Sequence, residues 1–436
     1  MSDYMFMVES HLTAAQMVAF QSVQSAANEA NIPLYLTGAA LRDMLGGFPI
    51  RDLDFTVEGN AITFAKAIAK KGDAELGNTD PRRNLADLLY PQNVMVRIGM
   101  ARKETYAKPA AKPQISPATI HEDLLCRDFT INAIAMSLNR QSRGLLVDPA
   151  NGMGDVQNRE LRIAGKYTLY DDPSRMFRLF RYRIRMGFAL SEKTQNQYQN
   201  VRELKLEQKI PADALGRELR NVANETNSAD IVKLLDDERL LPLFCSALVG
   251  EKVNHAGLQK LQKARTHVPL ELMFSVDNLS LFLTVLTEKL NKTERADLAK
   301  ACALTEAEVS AWKKLEEGAK KLEKEMKSPS LTRPSKVYAA AAKGTGAQVL
   351  YLLYKSDARV VLDRLKNYLQ KYLMVEHELT EEEILETGAK PGTPKYAKAR
   401  LDVLSKKLDA RPKKVPVEET EPAPALPPPI VASARR

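Results

Sequence analysis

Leu36-Thr37-Gly38-Ala39-Ala40-Leu41-Arg42-Asp43-Met44-Leu45-Gly46-Gly47-Phe48-Pro49-Ile50-Arg51-Asp52-Leu53-Asp54-Phe55-Thr56 is the stretch on which the reading of this 436-residue chain turns. Its last five residues alternate polar and apolar, the pattern of a half-buried strand. On a strand, residues two apart share a face, so Asp52 and Asp54 aim at one spot while Leu53 and Phe55 face a core. Two hard oxygen anions on one face suit Mg²⁺, which takes carboxylate, phosphate and water ligands. Upstream, residues 34–36 read as a strand, Gly38 as a tight turn and residues 39–45 as a helix. A small-residue turn into a helix start can cradle phosphate on backbone N–H groups, here at Gly38 and Ala39. A phosphate cradle beside metal-binding carboxylates points to nucleotidyl transfer.

Working outward, residues 11–31 read as an amphipathic helix, 61–71 as a helix and 94–100 as a strand. Residues 106–120 hold three prolines and no period, so they read as a loop; residues 128–138 read as a helix. From about residue 166 the pattern is helical: 166–186, 211–240, 258–263, 281–290, 305–326, 337–342, 348–354, 358–373 and 396–407. Residues 411–436 carry seven prolines and almost no large apolar side chain, a composition that cannot pack and is expected to be disordered. The fold class expected is α+β, a small mixed β-sheet at the N-terminus followed by all-helical regions.

The chain is 44% hydrophobic and 27% charged, the balance of a soluble globular protein large enough for several cores. A net charge of +9 favours a polyanionic partner without proving one. Cys126, Cys245 and Cys302 are too widely spaced for a disulfide framework or a zinc site, which fits a reducing cytoplasm. The N-terminus has no signal-peptide pattern, and no apolar run approaches the roughly 20 residues needed to span a bilayer, so no membrane partner is expected.

Further polar constellations carry chemistry. Arg127, Asp128 and Asn132 would form one polar edge on a helix. Carboxylate and amide can bond ribose hydroxyls, and the arginine can reach a phosphate. In Asp171-Asp172-Pro173-Ser174-Arg175, Pro173 also marks an ordinary helix start. Arg175, Arg178, Arg181 and Arg185 follow along one helix, as a nucleotide-binding face or a solvated basic one. Arg42 and Asp43 read either as nucleotide contacts or as a structural pair. Arg102-Lys103-Glu104-Thr105-Tyr106 leads into the loop. Gly152, Gly154, Asp155, Arg159 and Arg162 have the look of a joint tied by ion pairs. Around Ala214, Glu218 and Leu219 a structural role is expected.

Taken together, the Gly38-to-Asp54 spacing, Arg127-Asp128-Phe129-Thr130-Ile131-Asn132-Ala133 and Asp171-Asp172-x-x-Arg175 resemble the motifs of class II tRNA nucleotidyltransferases (CCA-adding enzymes) and bacterial poly(A) polymerases, in the polymerase beta superfamily. The resemblance covers about residues 34–220. It implies a nucleotidyltransferase head (1–145), a neck with a base-reading helix (146–220), a helical body (221–300), a helical tRNA-binding tail (301–408) and a Pro-rich end (409–436). It implies transfer of C and A from CTP and ATP to the 3′ acceptor end of tRNA, with Asp52 and Asp54 holding two Mg²⁺ ions. Asp172 and Arg175 would read the base edge: a carboxylate accepts from N4 of cytosine or N6 of adenine, while a guanidinium donates to N3 or N1. Uracil and guanine would leave buried polar groups unpaired. This sequence departs from the pattern at Cys126, Asp171, Ala214 and the 107–117 loop. A CC-only or A-only enzyme, a poly(A) polymerase and a non-catalytic RNA-binding protein on this scaffold stay open.

Overall fold

The computed structural model describes residues 4–269 and 274–410; the Pro-rich end expected to be disordered lies outside the described residues. The architecture is α+β: a seven-stranded mixed sheet near the N-terminus, then helices to residue 409. The sheet comprises β1 (Leu34–Thr37), β2 (Leu53–Val57), β3 (Glu75–Asp80), β4 (Leu85–Tyr90), β5 (Val94–Met100), β8 (Ala135–Ser137) and β9 (Leu146–Val147). Its strand order is β3-β4-β5-β2-β1-β8-β9. Within this sheet only β2 and β5 run parallel; they align Leu53 with Val96, Asp54 with Arg97 and Phe55 with Ile98. Four described strands lie outside this sheet: β6 (Arg102–Thr105) and β7 (Gln114–Pro117) form a hairpin of their own, and the short β10 (Glu160–Leu161) and β11 (Ala189–Leu190) pair in parallel.

Strand parity decides which side chains make the core. Leu53, Phe55, Val96, Ile98, Ala86 and Leu88 are all buried on one face. That face is covered by helices α2 (Ala14–Ala30) and α4 (Ala61–Lys71), with Phe20 of α2 stacked 5.8 Å from Phe55. Ahead of α2 runs the short α1 (Tyr4–His11). The expected 11–31 helix therefore begins at Ala14, where Thr13 and Gln16 form a reciprocal capping box. Helix α3 (Ala39–Leu45) follows β1 as expected. Asp52 precedes β2 rather than lying in it.

Several expectations are corrected. The helix expected over 128–138 is a 3-10 turn, Thr130–Asn132, followed by β8. Ile131, Ala133, Ile134, Ala135 and Met136 are all buried, and a continuous apolar run does not distinguish a central strand from a buried helix. The loop expected over 106–120 contains β7 and the start of α5 (Ile120–Leu125). After α6 (Gly152–Gln157), the helix expected over 166–186 is two: α7 (Thr168–Asp171) and α8 (Arg175–Met186). Between them Asp172, which precedes Pro173, is extended at φ −134° and ψ 91°, because a proline disfavours the helical region for the residue before it. After α9 (Glu192–Glu203), the expected 211–240 helix divides into α10 (Ala212–Asn224) and a helix at Ser228–Asp237. The 358–373 segment holds a π turn at Tyr368–Tyr372. One apolar core runs from the sheet through these helices to Leu408. Among the described residues no helix is long and apolar enough to cross a membrane.

Candidate active site

The sheet's second face is polar and floors a cleft of about 500 Å³. Thr37, Asp54, Thr56 and Arg97 rise from it, with α3 and α8 as walls. Eleven of the twelve residues singled out from the sequence line this cleft: Gly38, Ala39 and Arg42 around α3, Asp52 and Asp54 at β2, Arg127, Asp128 and Asn132 before β8, and Arg175, Arg178 and Arg181 on α8. Asp172 does not line it.

Gly38 adopts φ +66°, and a Cβ there would stand 3.1 Å from Arg127 Nη1. Glycine thus meets both a left-handed backbone and a close approach. Its N–H donates to Ile134 O at 3.1 Å, so the amides available to a phosphate are those of the first turn of α3, starting at Ala39.

Most acids around the cleft are already paired. Arg42 and Asp43, each 1% exposed, bond to one another, Arg42 also donates to Asn132 Oδ1 at 2.7 Å, and its guanidinium lies over the Tyr182 ring. Asn132 Nδ2 donates to Asp128 Oδ1 at 2.9 Å. The two are thus brought together, across a 3-10 turn rather than along an α-helix. Arg178 bridges Asp128 on one side and Glu218 of α10 on the other. Arg181 donates to Glu225, Arg185 to Asp43 at 2.8 Å, and Arg127 to Asp123 at 2.8 Å. The arginine row of α8 is consequently not a solvated face; it ties α8 to α3, to the turn before β8 and to α10. Burial opposes ionisation of Asp128, but Arg178 and Arg175 beside it, with the Asn132 hydrogen bond, hold its carboxyl well below the usual range. Glu218, expected to be structural, is fully buried against Arg178.

Asp52 and Asp54 are the exceptions. Neither carboxylate takes a hydrogen bond or an ion pair from a described residue within 4.0 Å. Burial, opposed by Arg97 and reinforced by the charge of Asp52, pushes the Asp54 carboxyl up to about 6. Two uncompensated hard oxygen donors on an open cleft, one of them resisting ionisation, fit a divalent cation of the Mg²⁺ class, whose charge would relieve both.

Arg175 is held loosely. Its nearest partners are the Thr168 and Cys126 carbonyls at 3.5 Å, Asp172 at 3.7 Å and Glu104 at 3.8 Å. Asp172 Oδ1 accepts from Ser174 N at 3.0 Å and from Ser174 Oγ at 2.6 Å, leaving Oδ2 toward Arg175. Burial opposes the Asp172 charge, yet Arg175 and the Ser174 hydroxyl hold its carboxyl below the ordinary value. Glu104 of β6 accepts from Arg102 and from Tyr106 Oη, and the 106–113 turn is fastened by Ala110 N to Tyr170 O at 2.9 Å.

Cleft residues that the sequence reading passed over include Arg97, Tyr182, Arg217 and Asn221. A signal was present for three of them. Arg97 has the opposite parity to buried Val96 and Ile98 in a strand that was recognised. Arg217 and Asn221 stand four apart on α10, so they share a face.

Comparison with known proteins bears on the fold and on the family the chain resembles. Residues 34–162 match the family model described as the poly A polymerase head domain. The A-adding tRNA nucleotidyltransferase of Aquifex aeolicus is 33% identical over 261 residues, 59% of this chain and 31% of that protein. The CC-adding tRNA nucleotidyltransferase of Deinococcus radiodurans is 34% identical over 153 residues, 35% of this chain and 41% of that protein. The chain thus spans less than half the length of either relative. A solved CCA-adding enzyme in an apo form shares the fold at a TM-score of 0.56 and 23% identity, covering 94% of this chain and 96% of that one. The fold, a mixed sheet followed by helices, is that of the solved CCA-adding enzyme. The likeness is thus to the poly A polymerase head domain over residues 34–162 and to tRNA nucleotidyltransferases over part of the chain.

Proposed function

We propose that this protein is a template-independent tRNA nucleotidyltransferase that adds C and A from CTP and ATP to the 3′ end of tRNA. The observation that carries the reading is the Asp52 and Asp54 pair, left without partners in a cleft where the neighbouring acids are ion-paired. Bound there, Mg²⁺ would lower the pKa of the attacking hydroxyl and offset charge on the phosphates. Asp52 and Asp54 would hold the metal, Ala39 and the first turn of α3 would receive phosphate, and Arg127 would contribute positive charge from the cleft wall. The 3′ oxygen bonds to the α-phosphorus, the bond to the bridging oxygen breaks with its electron pair, pyrophosphate leaves and the hydroxyl proton passes to solvent. Asp128 and Asn132 face the ribose from within their ion-pair network. Arg175, with no bond shorter than 3.5 Å, is the donor most able to reach a base edge, and Asp172 Oδ2 is its acceptor partner. The helices after α8 would hold the acceptor arm through its phosphates, which makes affinity steeply salt-dependent.

The test is incubation of the full chain with tRNA ending at the discriminator base and each labelled nucleoside triphosphate singly, followed by sequencing of product ends. Incorporation of C alone on this tRNA, of A once CC is in place, and of neither U nor G is expected. A partial activity is the second reading, favoured by the A-adding and CC-adding names of the two relatives; a product ending at CC, or growth only on tRNA ending in CC, would select it. Absence of any incorporation with tRNA binding retained would leave a non-catalytic RNA-binding protein.

A further inference from the structure

Three side chains stand in one row across the polar face of the sheet. Asp54 on β2 is in register with Arg97 on β5, and Arg97 with Asp87 on β4. Residues paired across strands share a face and lie about 5 Å apart. Within the row, Arg97 Nε donates to Asp87 Oδ1 at 2.9 Å. Asp87 is 9% exposed, so this anchor is fixed, whereas the Arg97 side chain is half exposed and lines the cleft. Arg97 makes no ion pair within 4.0 Å with Asp52 or Asp54, and its two Nη groups have no hydrogen-bond acceptor among the described residues. A guanidinium serving only to neutralise the carboxylate pair would close on Asp54. This one is held on Asp87 instead, its terminal nitrogens unclaimed beside the metal-binding carboxylates. A planar fork with both tips unclaimed matches the oxygens of a phosphate.

We propose that Arg97 binds the terminal phosphates of the incoming nucleoside triphosphate, and that Asp87 is the positioning residue that sets its fork. This rests on the nucleotidyltransferase reading of the cleft. It gives the departing pyrophosphate a fixed cation on the sheet, independent of the metal.

The experiment is calorimetric titration of inorganic pyrophosphate into the full chain in EDTA, where metal plays no part. Wild type should bind. Arg97→Gln should weaken binding about tenfold or more, and Arg97→Lys should fall between, because an ammonium keeps charge without the fork. Asp87 separates positioning from bulk charge. Removing an acid from an anion site strengthens binding by general electrostatics, whereas losing the anchor weakens it. Asp87→Asn is therefore expected to bind pyrophosphate several-fold more weakly than wild type, and so is Asp87→Glu, which keeps the charge but displaces the fork. Unchanged affinity in Arg97→Gln overturns the proposal; tighter binding in both Asp87 variants overturns the positioning role. Thermal unfolding verifies that each variant is folded, and Arg97→Lys carries the test if the Asp87 variants are not. In the transfer assay Arg97→Gln should raise KM for CTP and ATP alike. Arg97-dependent pyrophosphate binding in a chain that transfers no nucleotide would refute the proposed function and leave this assignment standing.

Discussion

Asp54→Asn in metal-free buffer gives a test of the cleft that needs no substrate. Burial and the neighbouring Asp52 raise the Asp54 carboxyl from 3.8 to about 6, against the pull of Arg97. An acid whose folded value lies above its unfolded value binds its proton more tightly when folded. Stability then falls as pH rises from about 4 through about 6, and the penalty is complete above that window. The difference amounts to about 3 kcal/mol at most, water in the cleft screening part of it. Replacing the carboxylate with an amide should therefore stabilise the metal-free protein at pH 8. Spread over a chain of this length, the gain is about 3 °C in Tm. At pH 4 it should vanish, since Asp54 is then protonated. Mg²⁺ should raise the Tm of wild type through preferential binding to the folded state and leave the variant almost unmoved. Scanning calorimetry in EDTA and in Mg²⁺ at the two pH values reads all four quantities. An Asn variant no more stable than wild type at pH 8 in EDTA would refute the view of Asp54 as a strained, metal-seeking carboxylate.

Asp52→Ala and Asp54→Ala should each abolish incorporation of both C and A while tRNA affinity, measured by filter binding, persists. Arg178→Ala leaves Asp128 and Glu218 buried without a cation, a loss of about 3–5 kcal/mol that urea unfolding should show. Gly38→Ala forces a Cβ to 3.1 Å from Arg127 at positive φ, so it should raise KM for both nucleotides and lower Tm by a few degrees. Asp172→Ala should narrow the preference for CTP and ATP over UTP and GTP in single-turnover incorporation; retained discrimination would reduce Asp172 to the Ser174 cap and place base choice elsewhere.

What could be read without coordinates follows from how local each signal was. Helices α3 and α4 and strand β5 agree with the expected bounds because each has a clear period and a clear stop: Gly46, the Asn60 cap with Gly72, and the turn before Val94. The β8 strand was misread since its residues are buried on every side, which erases periodicity. Strand β3 carries Gly77, Asn78 and Asp80, poor strand formers whose extended pairing is imposed by β4. At the site, residue types foretold the cleft, but not their partners. Four arginines on one helix look alike in sequence, and only packing shows that Arg178, Arg181 and Arg185 are committed to Glu218, Glu225 and Asp43 while Arg175 is left loose.

The alternation along β2 couples foldedness to competence. Leu53 and Phe55 enter the core because Asp54 between them does not. A slip of one residue against β1 or β5 would drive the carboxylate into the layer beneath α2 and α4 and turn Phe55 into the cleft. An ionised group stranded there is heavily penalised, so a mispaired sheet is expelled by the same energetics that assemble the correct one. A stably folded molecule with a scrambled carboxylate pair is thus excluded. Substitutions that loosen the core at Leu53 or Phe55 should lower the fraction of competent molecules and leave the turnover of each competent one unchanged, a distinction visible in active-site titration.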